Sequence, residues 1–373
     1  MVDKRKVLLI GPVAPPVGGM TISMENIVTS KLRESYTFYV LDVTGCKTRD
    51  KKASILKRMF HQIRLFWRLF YILMRKNPAL IHVQMSSFQY FYRRGIDIVV
   101  SRLFRKKIIL HLRGGSFVEF YEEAPYIAKW AIRVVLGMSN RIIALSSYWK
   151  EVLVTMSEPA KISVIPNGVK VSELRLKENI RPRLGLSATD IVILHVGPIG
   201  RRKGSFDLVF AIPLILEKIN KARFIFCGIG EFEGEIDELL SLIKEKGLSD
   251  VFWYAEKLSG QDKYNYYLSS DIFVLPSYHE NMPNSLLEAM AAGLPAVVSD
   301  VGAIPEIAKD GINGFLVKPG DIISLSEKII TLSSDAVLRK SMGKRNLEEA
   351  KEKYDMPIIS DKIDKVYKEL LSK

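Results

Sequence analysis

Two glutamates, Glu280 and Glu288, lie eight positions apart in the stretch DIFVLPSYHENMPNSLLEAMAAGLPAVVSD. The apolar run Ile272–Leu275 predicts a buried parallel strand, and the run after Pro283 predicts a helix that ends before Gly293. Glu280 is therefore expected on a loop at the carboxyl end of a strand, and Glu288 about one turn into the next helix.

The predicted position of the two glutamates suits ligand recognition. Open α/β sheets bind ligands at the carboxyl ends of their strands. The backbone amides of Asn284, Ser285 and Leu286 are expected at the N-terminus of the predicted helix, which is a ready anion site. A carboxylate beside such a site is suited to accept hydrogen bonds from sugar hydroxyls. A glutamate near a helix start can also act only by stabilising the helix dipole, and this alternative stays open.

The segment 279–300 resembles the signature of the retaining glycosyltransferases of family 4. Those enzymes carry, as this chain does, two glutamates separated by seven residues and then an Ala-Met-Ala-x-Gly-x-Pro-Val-like run. The resemblance is strong from about Ile191 to Asp321 and weaker in the first half. It implies an α/β fold with the GT-B architecture, in which two Rossmann-like, doubly wound parallel-sheet domains face a cleft. It also implies that Glu280 contacts the donor sugar and that Glu288 binds the ribose.

The loop HVGPIGRRKG at 195–204 places three consecutive cations before a predicted helix. Lys203 is expected to point at the ligand edge, where a fixed cation neutralises charge on a departing diphosphate. The family carries an arginine early in this loop, but Pro198 stands at that position here. Arg201 or Arg202 is therefore predicted to replace it as a donor-binding residue, with Arg201 preferred. Simple solvation of a basic loop is the alternative.

The first half of the chain offers further candidates. Gly18 and Gly19 follow the first apolar run, and adjacent glycines let backbone amides approach an anion, although a tight turn explains them equally well. The resemblance implies that this loop lies beside the donor diphosphate and the acceptor. His111 ends another apolar run, where the family often has a histidine near the reacting sugar; a structural histidine is the alternative. Arg113, which departs from the commoner pattern, is placed to meet an anionic acceptor.

Neither a metal nor a cofactor is expected, since the nucleotide sugar is itself a substrate. His279 stands beside Glu280, but no third ligand has a suitable spacing, and the resemblance implies that cations and a helix dipole replace a metal. The absence of a G-x-G-x-x-G fingerprint argues against nicotinamide binding. Gly302 and Glu306 resemble the Gly-x-x-Glu turn of the family. Glu306 can equally be a carboxylate that only stabilises the N-terminus of a helix.

The chain of 373 residues, 48% of them hydrophobic, predicts two domains. Short apolar runs alternate with helix-like segments, which is the βαβ rhythm of a parallel sheet. The runs lie at 6–12, 36–43, 79–84, 107–114, 141–147 and 161–168, then at 191–197, 223–230, 251–256, 271–277, 295–300 and 314–317. We expect an acceptor-side domain at 1–169, a linker at 170–190, a nucleotide-sugar domain at 191–352 and, by resemblance, a helix at 353–373 that crosses back to the first domain.

The net charge of +14 is unevenly spread. Residues 1–180 carry 30 Lys and Arg against 13 Asp and Glu, a net charge of +17, whereas residues 181–373 carry −3. The asymmetry indicates an anionic partner for the first half. The run 55–76 repeats apolar residues at steps of three and four among cations and lacks acidic residues, which is typical of a helix on anionic lipid. A domain helix that packs its apolar face on the sheet is the alternative.

The remaining features exclude several classes of protein. Cys46 and Cys227 are far apart and indicate neither a disulfide framework nor a metal cluster, which fits a reducing cytoplasm. No uncharged apolar run is long enough to predict a membrane-spanning helix. No nucleic-acid recognition motif is present, so nucleic acid is not expected as a partner.

These observations predict a retaining, hexosyltransferase-type enzyme that passes a sugar from a nucleoside diphosphate sugar to a hydroxyl acceptor. The expected acceptor is a saccharide, lipid-linked in surface polysaccharide assembly, and the expected location is the cytoplasmic face of the plasma membrane. Three alternatives stay open. They are a sugar-nucleotide epimerase of the same architecture, a non-catalytic membrane-associated subunit of a glycan assembly complex, and a nucleic-acid binder.

Overall fold

The computed structural model describes residues 4–15, 18–44, 55–256 and 258–372, so Cys46 lies outside the described residues. The chain forms two compact units. The first holds the residues up to Gly168 together with the segment from Met356 onward, and the second holds Val169–Asp355. Each unit contains one six-stranded sheet. Because every strand pair is parallel, the predicted α/β class is confirmed.

The first sheet has the strand order β2-β1-β3-β4-β5-β6. Its strands are β1 (Arg5–Gly11), β2 (Tyr36–Asp42), β3 (Leu80–Met85), β4 (Lys107–Leu112), β5 (Arg141–Ala144) and β6 (Ile162–Val164). Strand β3 is buried along its whole length, which explains why such strands read as continuous apolar runs in the sequence. The strand order reverses between β1 and β3, and open α/β sheets commonly bind ligands beside the loops that follow such strands.

The second sheet has the strand order β12-β11-β10-β7-β8-β9. Its strands are β7 (Ile191–Val196), β8 (Ala222–Cys227), β9 (Phe252–Ala255), β10 (Ile272–Leu275), β11 (Ala296–Ser299) and β12 (Gly314–Val317). All twelve strands predicted from the sequence are therefore present. The order reverses between the neighbouring strands β7 and β10, so the loops after these two strands mark the expected ligand edge.

Helices connect the strands within both units. The first unit contains α1 (Gly19–Thr29), α2 (Leu32–Ser35), α3 (Ile55–Arg75), α4 (Gln89–Leu103), α5 (Phe117–Glu122), α6 (Tyr126–Met138), α7 (Ser147–Val154) and, at the other end of the chain, α15 (Met356–Leu371). The second contains α8 (Ser205–Leu216), α9 (Glu235–Glu245), α10 (Gly260–Leu268), α11 (Asn284–Ala291), α12 (Ile304–Ile307), α13 (Ile322–Ser334) and α14 (Ala336–Glu349). Ile359, Ile363 and Tyr367 place α15 in the core of the first unit.

The segment 170–190 is grouped with the second unit. Arg181 forms an ion pair with Asp271 over 2.6 Å and donates to the carbonyl oxygen of Ser269 over 2.9 Å. The side-chain oxygen of Asn265 accepts from the amides of Lys177 and Glu178. These contacts fasten the segment to the chain around α10 and β10.

Helix α3 carries two kinds of apolar residue. Leu65, Leu69 and Leu73 are buried at four-residue spacing and pack the helix on its own unit. Phe60 and Trp67 are 72% and 60% exposed. Other apolar side chains of the helix are exposed as well: Leu56, Met59, Ile63, Phe66, Tyr71 and Met74. Most of the apolar residues in this run thus do not pack on the sheet. Among the described residues, no helix has the length and hydropathy needed to cross a bilayer.

The two kinds of position on α3 should respond differently to truncation. Leu69→Ala removes a fully buried side chain and should lower the free energy of unfolding by about 2–5 kcal/mol. Phe60→Ala, the matched control on the exposed face, should change it by less than about 0.5 kcal/mol. Urea unfolding followed by circular dichroism measures both. Equal destabilisation by the two substitutions would contradict the assignment of the faces.

Candidate active site

Two loops meet where the strand order of the second sheet reverses. Loop 197–204 follows β7, and loop 276–283 follows β10. Gly204 has a φ of +67°, and a Cβ at this position would overlap the carbonyl oxygen of Pro276. Glycine tolerates both the conformation and the close approach. The contact places the end of the first loop against the start of the second.

Lys203 and Glu280, one from each loop, form an ion pair through Nζ and Oε1. Both side chains are buried, and Ser277 donates from Oγ to the same carboxylate oxygen over 2.9 Å. Removal of either partner would leave the other charge uncompensated, at a cost of about 3–5 kcal/mol. The sequence predicted both residues at the ligand edge, and the structure brings them into contact.

His195 braces the first loop from the end of β7. Its Nδ1 lies 3.0 Å from the carbonyl oxygen of Val274 and must donate to it, so Nε2 accepts from Ser205 Oγ at 3.1 Å. Ser205 Oγ in turn accepts from the amide of Gly200 over 3.2 Å. Burial lowers the pKa of His195 to about 4, so the ring is neutral at neutral pH.

Gly302 supports the second loop. It has a φ of +56°, and a Cβ there would overlap the carbonyl oxygen of Glu280. The next residue, Ala303, donates its amide to the carbonyl oxygen of Asn281 over 3.1 Å. The predicted family turn therefore holds the backbone of Glu280 and Asn281. Glu306 lies in the first turn of α12, where a carboxylate stabilises the helix start.

Glu288 lies on α11 and uses both carboxylate oxygens. Oε1 forms an ion pair with Lys263 over 2.6 Å, and Oε2 accepts from the hydroxyl of Tyr267 over 3.1 Å. Lys263 and Tyr267 are one turn apart on α10 and so share a face of that helix. The first residues of α11 are Asn284, Ser285 and Leu286, whose amides have no acceptor within a helix that starts at this point. The predicted helix and the left-handed Gly293 after it are both confirmed.

Arg201 and Arg202 point to different partners. Arg201 forms an ion pair with Glu238, and its guanidinium lies 4.4 Å from the ring centre of Phe206. Arg202 donates to Glu231 over 2.6 Å and to the carbonyl oxygen of His279 over 3.2 Å. Arg202 therefore contacts the residue next to Glu280. The preference for Arg201 stays a prediction, and the contacts favour Arg202.

In the first unit, Gly18 and Gly19 begin helix α1. The amide of Gly18 donates to Thr21 Oγ1 over 2.7 Å, and Gly19 is the first helical residue. The backbone of Gly18 is extended, and a Cβ there would meet nothing within 4 Å. Neither packing nor backbone conformation within the described structure requires a glycine at position 18.

A buried polar cluster lies at the carboxyl edge of the first sheet. His82 and Gln84 alternate on β3, and His111 and Arg113 alternate at the end of the adjacent β4, where Gln84 pairs in register with His111. His82 Nε2 lies 3.0 Å from His111 Nδ1, and His82 Nδ1 lies 2.7 Å from the hydroxyl of Tyr367 on α15. Arg113 donates to Gln84 Oε1 over 2.6 Å, and so fixes the orientation of that amide.

Both histidines of this cluster are neutral. Burial, followed by the charge of Arg113, lowers the pKa of His82 to about 3 and holds that of His111 well below its ordinary value. Two proton arrangements satisfy the His82–His111 contact: His111 Nδ1 donates to His82, or His82 Nε2 donates to His111. The Gln84 amide nitrogen lies 3.3 Å from His82 Nε2 and favours the first, whereas Arg113 Nη2 lies 3.4 Å from His111 Nδ1 and favours the second. In the second arrangement His111 Nε2 carries a proton and becomes a donor.

Two models of known protein families match this chain, one in each half. A family model described as "Glycosyl transferases group 1" matches residues 177–349, and one described as "Glycosyltransferase Family 4" matches residues 27–173. The two matches together span most of the chain. The chain belongs to glycosyltransferase family 4.

Relatives of this chain include proteins of Arabidopsis thaliana and Escherichia coli. A sulfoquinovosyl transferase of Arabidopsis thaliana is 35% identical over 46% of this chain, and the match covers 32% of that relative's length. The UDP-Gal:alpha-D-GlcNAc-diphosphoundecaprenol alpha-1,3-galactosyltransferase of Escherichia coli is 28% identical over 78% of this chain and 74% of its own length. Anabaena HepE in complex with UDP has a TM-score of 0.79 at 19% identity and covers 98% of this chain and 100% of its own. This likeness shows the GT-B fold.

Sequence reasoning missed four polar residues that hold the candidate site residues. They are His82, Gln84, Lys263 and Tyr267. The sequence did contain patterns that could have indicated them. His82 and Gln84 are polar residues at alternating positions of an apolar strand, and Lys263 and Tyr267 are four residues apart on one helix. Among the described residues, no group of three or more His, Cys, Asp or Glu could hold a metal ion.

Burial of His195 predicts acid destabilisation. Between its ordinary pKa of 6.5 and its folded value of about 4, the unfolded state binds a proton that the folded state does not, so stability falls as the pH falls. Each pH unit in this window costs about 1.4 kcal/mol. In His195→Gln, the loss of unfolding free energy between pH 7 and pH 5 should be about 2 kcal/mol smaller than in the wild type.

Urea unfolding at the two pH values measures the difference. An unchanged pH dependence in His195→Gln would show that the folded protein does not hold this ring neutral.

Proposed function

We propose that this family 4 protein is a retaining glycosyltransferase that transfers a sugar from a nucleoside diphosphate sugar to a hydroxyl group of an acceptor. The observation that carries the proposal is the buried Lys203–Glu280 ion pair at the point where the strand order of the second sheet reverses. A nucleotide sugar offers hydroxyls for the carboxylate and a diphosphate for the ammonium. The pair matches both chemical parts of such a donor.

The two glutamates bind the two sugar rings of the donor. Glu280 accepts hydrogen bonds from hydroxyls of the transferred sugar, and Glu288 accepts them from the ribose. Charge-assisted hydrogen bonds of this kind contribute about 1.5–3 kcal/mol each. Lys263 and Tyr267 hold the Glu288 carboxylate in one orientation, which lowers the entropy that binding must remove. The UDP complex of Anabaena HepE supports a uridine nucleotide as the first donor to examine.

The cations and amides of the second unit stabilise the leaving diphosphate. Lys203 supplies an ammonium, Arg202 or Arg201 a guanidinium, and residues 284–286 the amides at the start of α11. In the first unit, the loop at Gly18 and Gly19 offers backbone amides to the same diphosphate. Fixed donors aimed at developing charge accelerate a reaction because they need no rearrangement during the step.

The transfer breaks the bond between the anomeric carbon and the diphosphate oxygen, whose electron pair leaves with the diphosphate. The acceptor oxygen bonds to the anomeric carbon on the same face, and its proton moves to an oxygen of the departing phosphate. This sequence retains the anomeric configuration and requires neither a protein nucleophile nor a metal. His111 and Glu280 position the donor sugar for this step.

The acceptor proposed is a lipid-linked saccharide in surface polysaccharide assembly. The Escherichia coli relative, whose name gives a diphosphoundecaprenol-linked GlcNAc as its substrate, supports this class. The first unit also supports this class. Such an acceptor has an apolar chain and a charged head, and the first unit has exposed apolar side chains and an excess of positive charge.

The apolar face of the first unit docks on anionic lipid at the cytoplasmic side of the membrane. Helix α4 packs against both α3 and α6, and each of the three exposes apolar side chains. On α3 these include Phe60 and Trp67, on α4 Ile96, and on α6 Ile127 and Trp130. The same part of the chain is strongly basic, since residues 1–180 carry a net charge of +17. Apolar insertion and attraction to anionic headgroups then act together.

Lys203→Met should lower turnover by about 10²–10³-fold while the affinity for nucleoside diphosphate changes less, because the ammonium acts most strongly on charge that develops during bond breakage. Release of nucleoside diphosphate on acceptor addition, with UDP-, GDP- and ADP-sugars, measures turnover. Titration calorimetry measures the affinity.

Two controls separate catalysis from folding. Lys203→Met/Glu280→Gln removes both buried charges, and its free energy of unfolding, compared with that of Lys203→Met, shows how far an unpaired Glu280 destabilises the fold. Lys244→Met alters an exposed lysine of the same unit and should keep wild-type turnover. Unchanged donor hydrolysis and transfer in Lys203→Met would rule out the leaving-group role.

Phe60→Ser/Trp67→Ser should weaken binding to vesicles that contain anionic phosphatidylglycerol by at least about tenfold, because each inserted aromatic contributes roughly 2 kcal/mol. Co-sedimentation measures the bound fraction. Binding of the wild type should also decrease as the salt concentration rises.

Phe232→Ser is the matched control, because Phe232 is 66% exposed but belongs to the second unit. It should bind vesicles as the wild type does. Equal binding by the wild type and the double variant, or equal binding to neutral and anionic vesicles, would refute membrane docking through α3.

A further inference from the structure

Arg113 is a partly buried cation without a carboxylate partner among the described residues. Its polar contacts are to Gln84, Asn167 and His111, all of which are neutral. Arg94, a buried arginine of the same unit, differs, because it lies 3.0 Å from the carboxylate of Asp97. Burial lowers the pKa of Arg113 to about 9, so the guanidinium still carries its charge at neutral pH.

The guanidinium is held in place without being neutralised. Gln84 Oε1 accepts from Nε, and Asn167 Oδ1 accepts from Nη1, so two side-chain amides fix the plane of the group. The contact from Nη2 to His111 Nδ1 is long, at 3.4 Å. A guanidinium has five N–H donors, and these contacts use three of them. A partly desolvated charge without a counter-ion is costly, and an anionic ligand would lower that cost.

His111 points an unsatisfied atom into the same place. The side chain is 1% exposed, and its Nε2 has no hydrogen-bond partner among the described residues. His111 and Arg113 line a cavity of about 10 Å³ together with Ser23, Asn26 and Asn167. A cavity of this size admits about one water-sized group. It therefore suits a single oxygen atom of a larger ligand.

We propose that Arg113 and His111 Nε2 bind a phosphate oxygen of a substrate, with Arg113 supplying the charge and His111 a second donor. The proposal rests on the proposed function only in taking the substrates to be phosphate-bearing. An oxyanion selects the proton arrangement in which Tyr367 donates to His82, His82 donates to His111, and Nε2 carries the outer proton. His82 and Tyr367 are then positioning residues.

The phosphate can come from the acceptor or from the donor, and two ligands distinguish these sources. Titration calorimetry should be carried out with farnesyl diphosphate, a lipid diphosphate without nucleotide, and with UDP. Arg113→Gln should weaken binding of one of them by about tenfold or more, since a charge-assisted hydrogen bond is lost. A weaker farnesyl diphosphate complex assigns the site to the acceptor, and a weaker UDP complex assigns it to the donor. Arg113→Lys should recover part of the affinity.

Arg133→Gln, which alters an exposed arginine of the same unit, is the control and should bind both ligands as the wild type does. Thermal unfolding shows whether Arg113→Gln remains folded. A measurement on the wild type alone gives a second test. The ¹⁵N chemical shift of His111 Nε2 should move towards the value of a protonated nitrogen when the ligand that the site binds, farnesyl diphosphate or UDP, is added. Wild-type affinity of Arg113→Gln for both ligands, or an unmoved His111 shift at saturation, would overturn the proposal. Neither readout requires turnover, so failure of the transferase assay would leave this result interpretable.

Discussion

The buried ion pair between Lys203 and Glu280 is the interaction on which the rest of the candidate site in the second unit depends. Two charges at the edge of a sheet are removed from water, and each is tolerable only while the other is present. The surrounding features keep the pair together: Gly204 packs on the second loop, Gly302 supports the backbone of Glu280, and His195 braces the first loop. A ligand with phosphates and hydroxyls can bind the Lys203 ammonium through a phosphate and the Glu280 carboxylate through a hydroxyl, so that neither charge is left without a polar partner.

The candidate sites of the two units hold charge in different ways. In the second unit Glu280 and Glu288 each have a lysine partner, and the net charge of residues 181–373 is only −3. In the first unit Arg113 has only neutral partners among the described residues. A lysine–glutamate pair favours a ligand that carries both hydrogen-bond donors for the carboxylate and anionic groups for the ammonium. An unpaired cation favours a ligand that brings the negative charge itself.

The sequence predicted the strands well because buried parallel strands leave continuous apolar runs. Glu280, Glu288 and Lys203 were also accessible from sequence, since loops after neighbouring strands converge at the carboxyl edge. Contacts between side chains were not accessible in the same way. That Lys263 reaches Glu288 depends on the packing of two helices. Helix α3 shows the same limit: its apolar residues could be counted, but only the structure separates the buried Leu69 from the exposed Phe60.

The exposed face of the first unit bears on what kind of anion this unit meets. Nucleic acid binds through its phosphates and would account for the positive charge, but it does not account for exposed Phe60, Trp67 and Trp130 beside that charge. Lipid accounts for both, because a headgroup layer is anionic and the layer below it is apolar. A lipid-linked saccharide repeats this combination in one molecule. Its apolar chain matches the exposed aromatic side chains of the helices, and its phosphate matches a guanidinium without a counter-ion, such as that of Arg113.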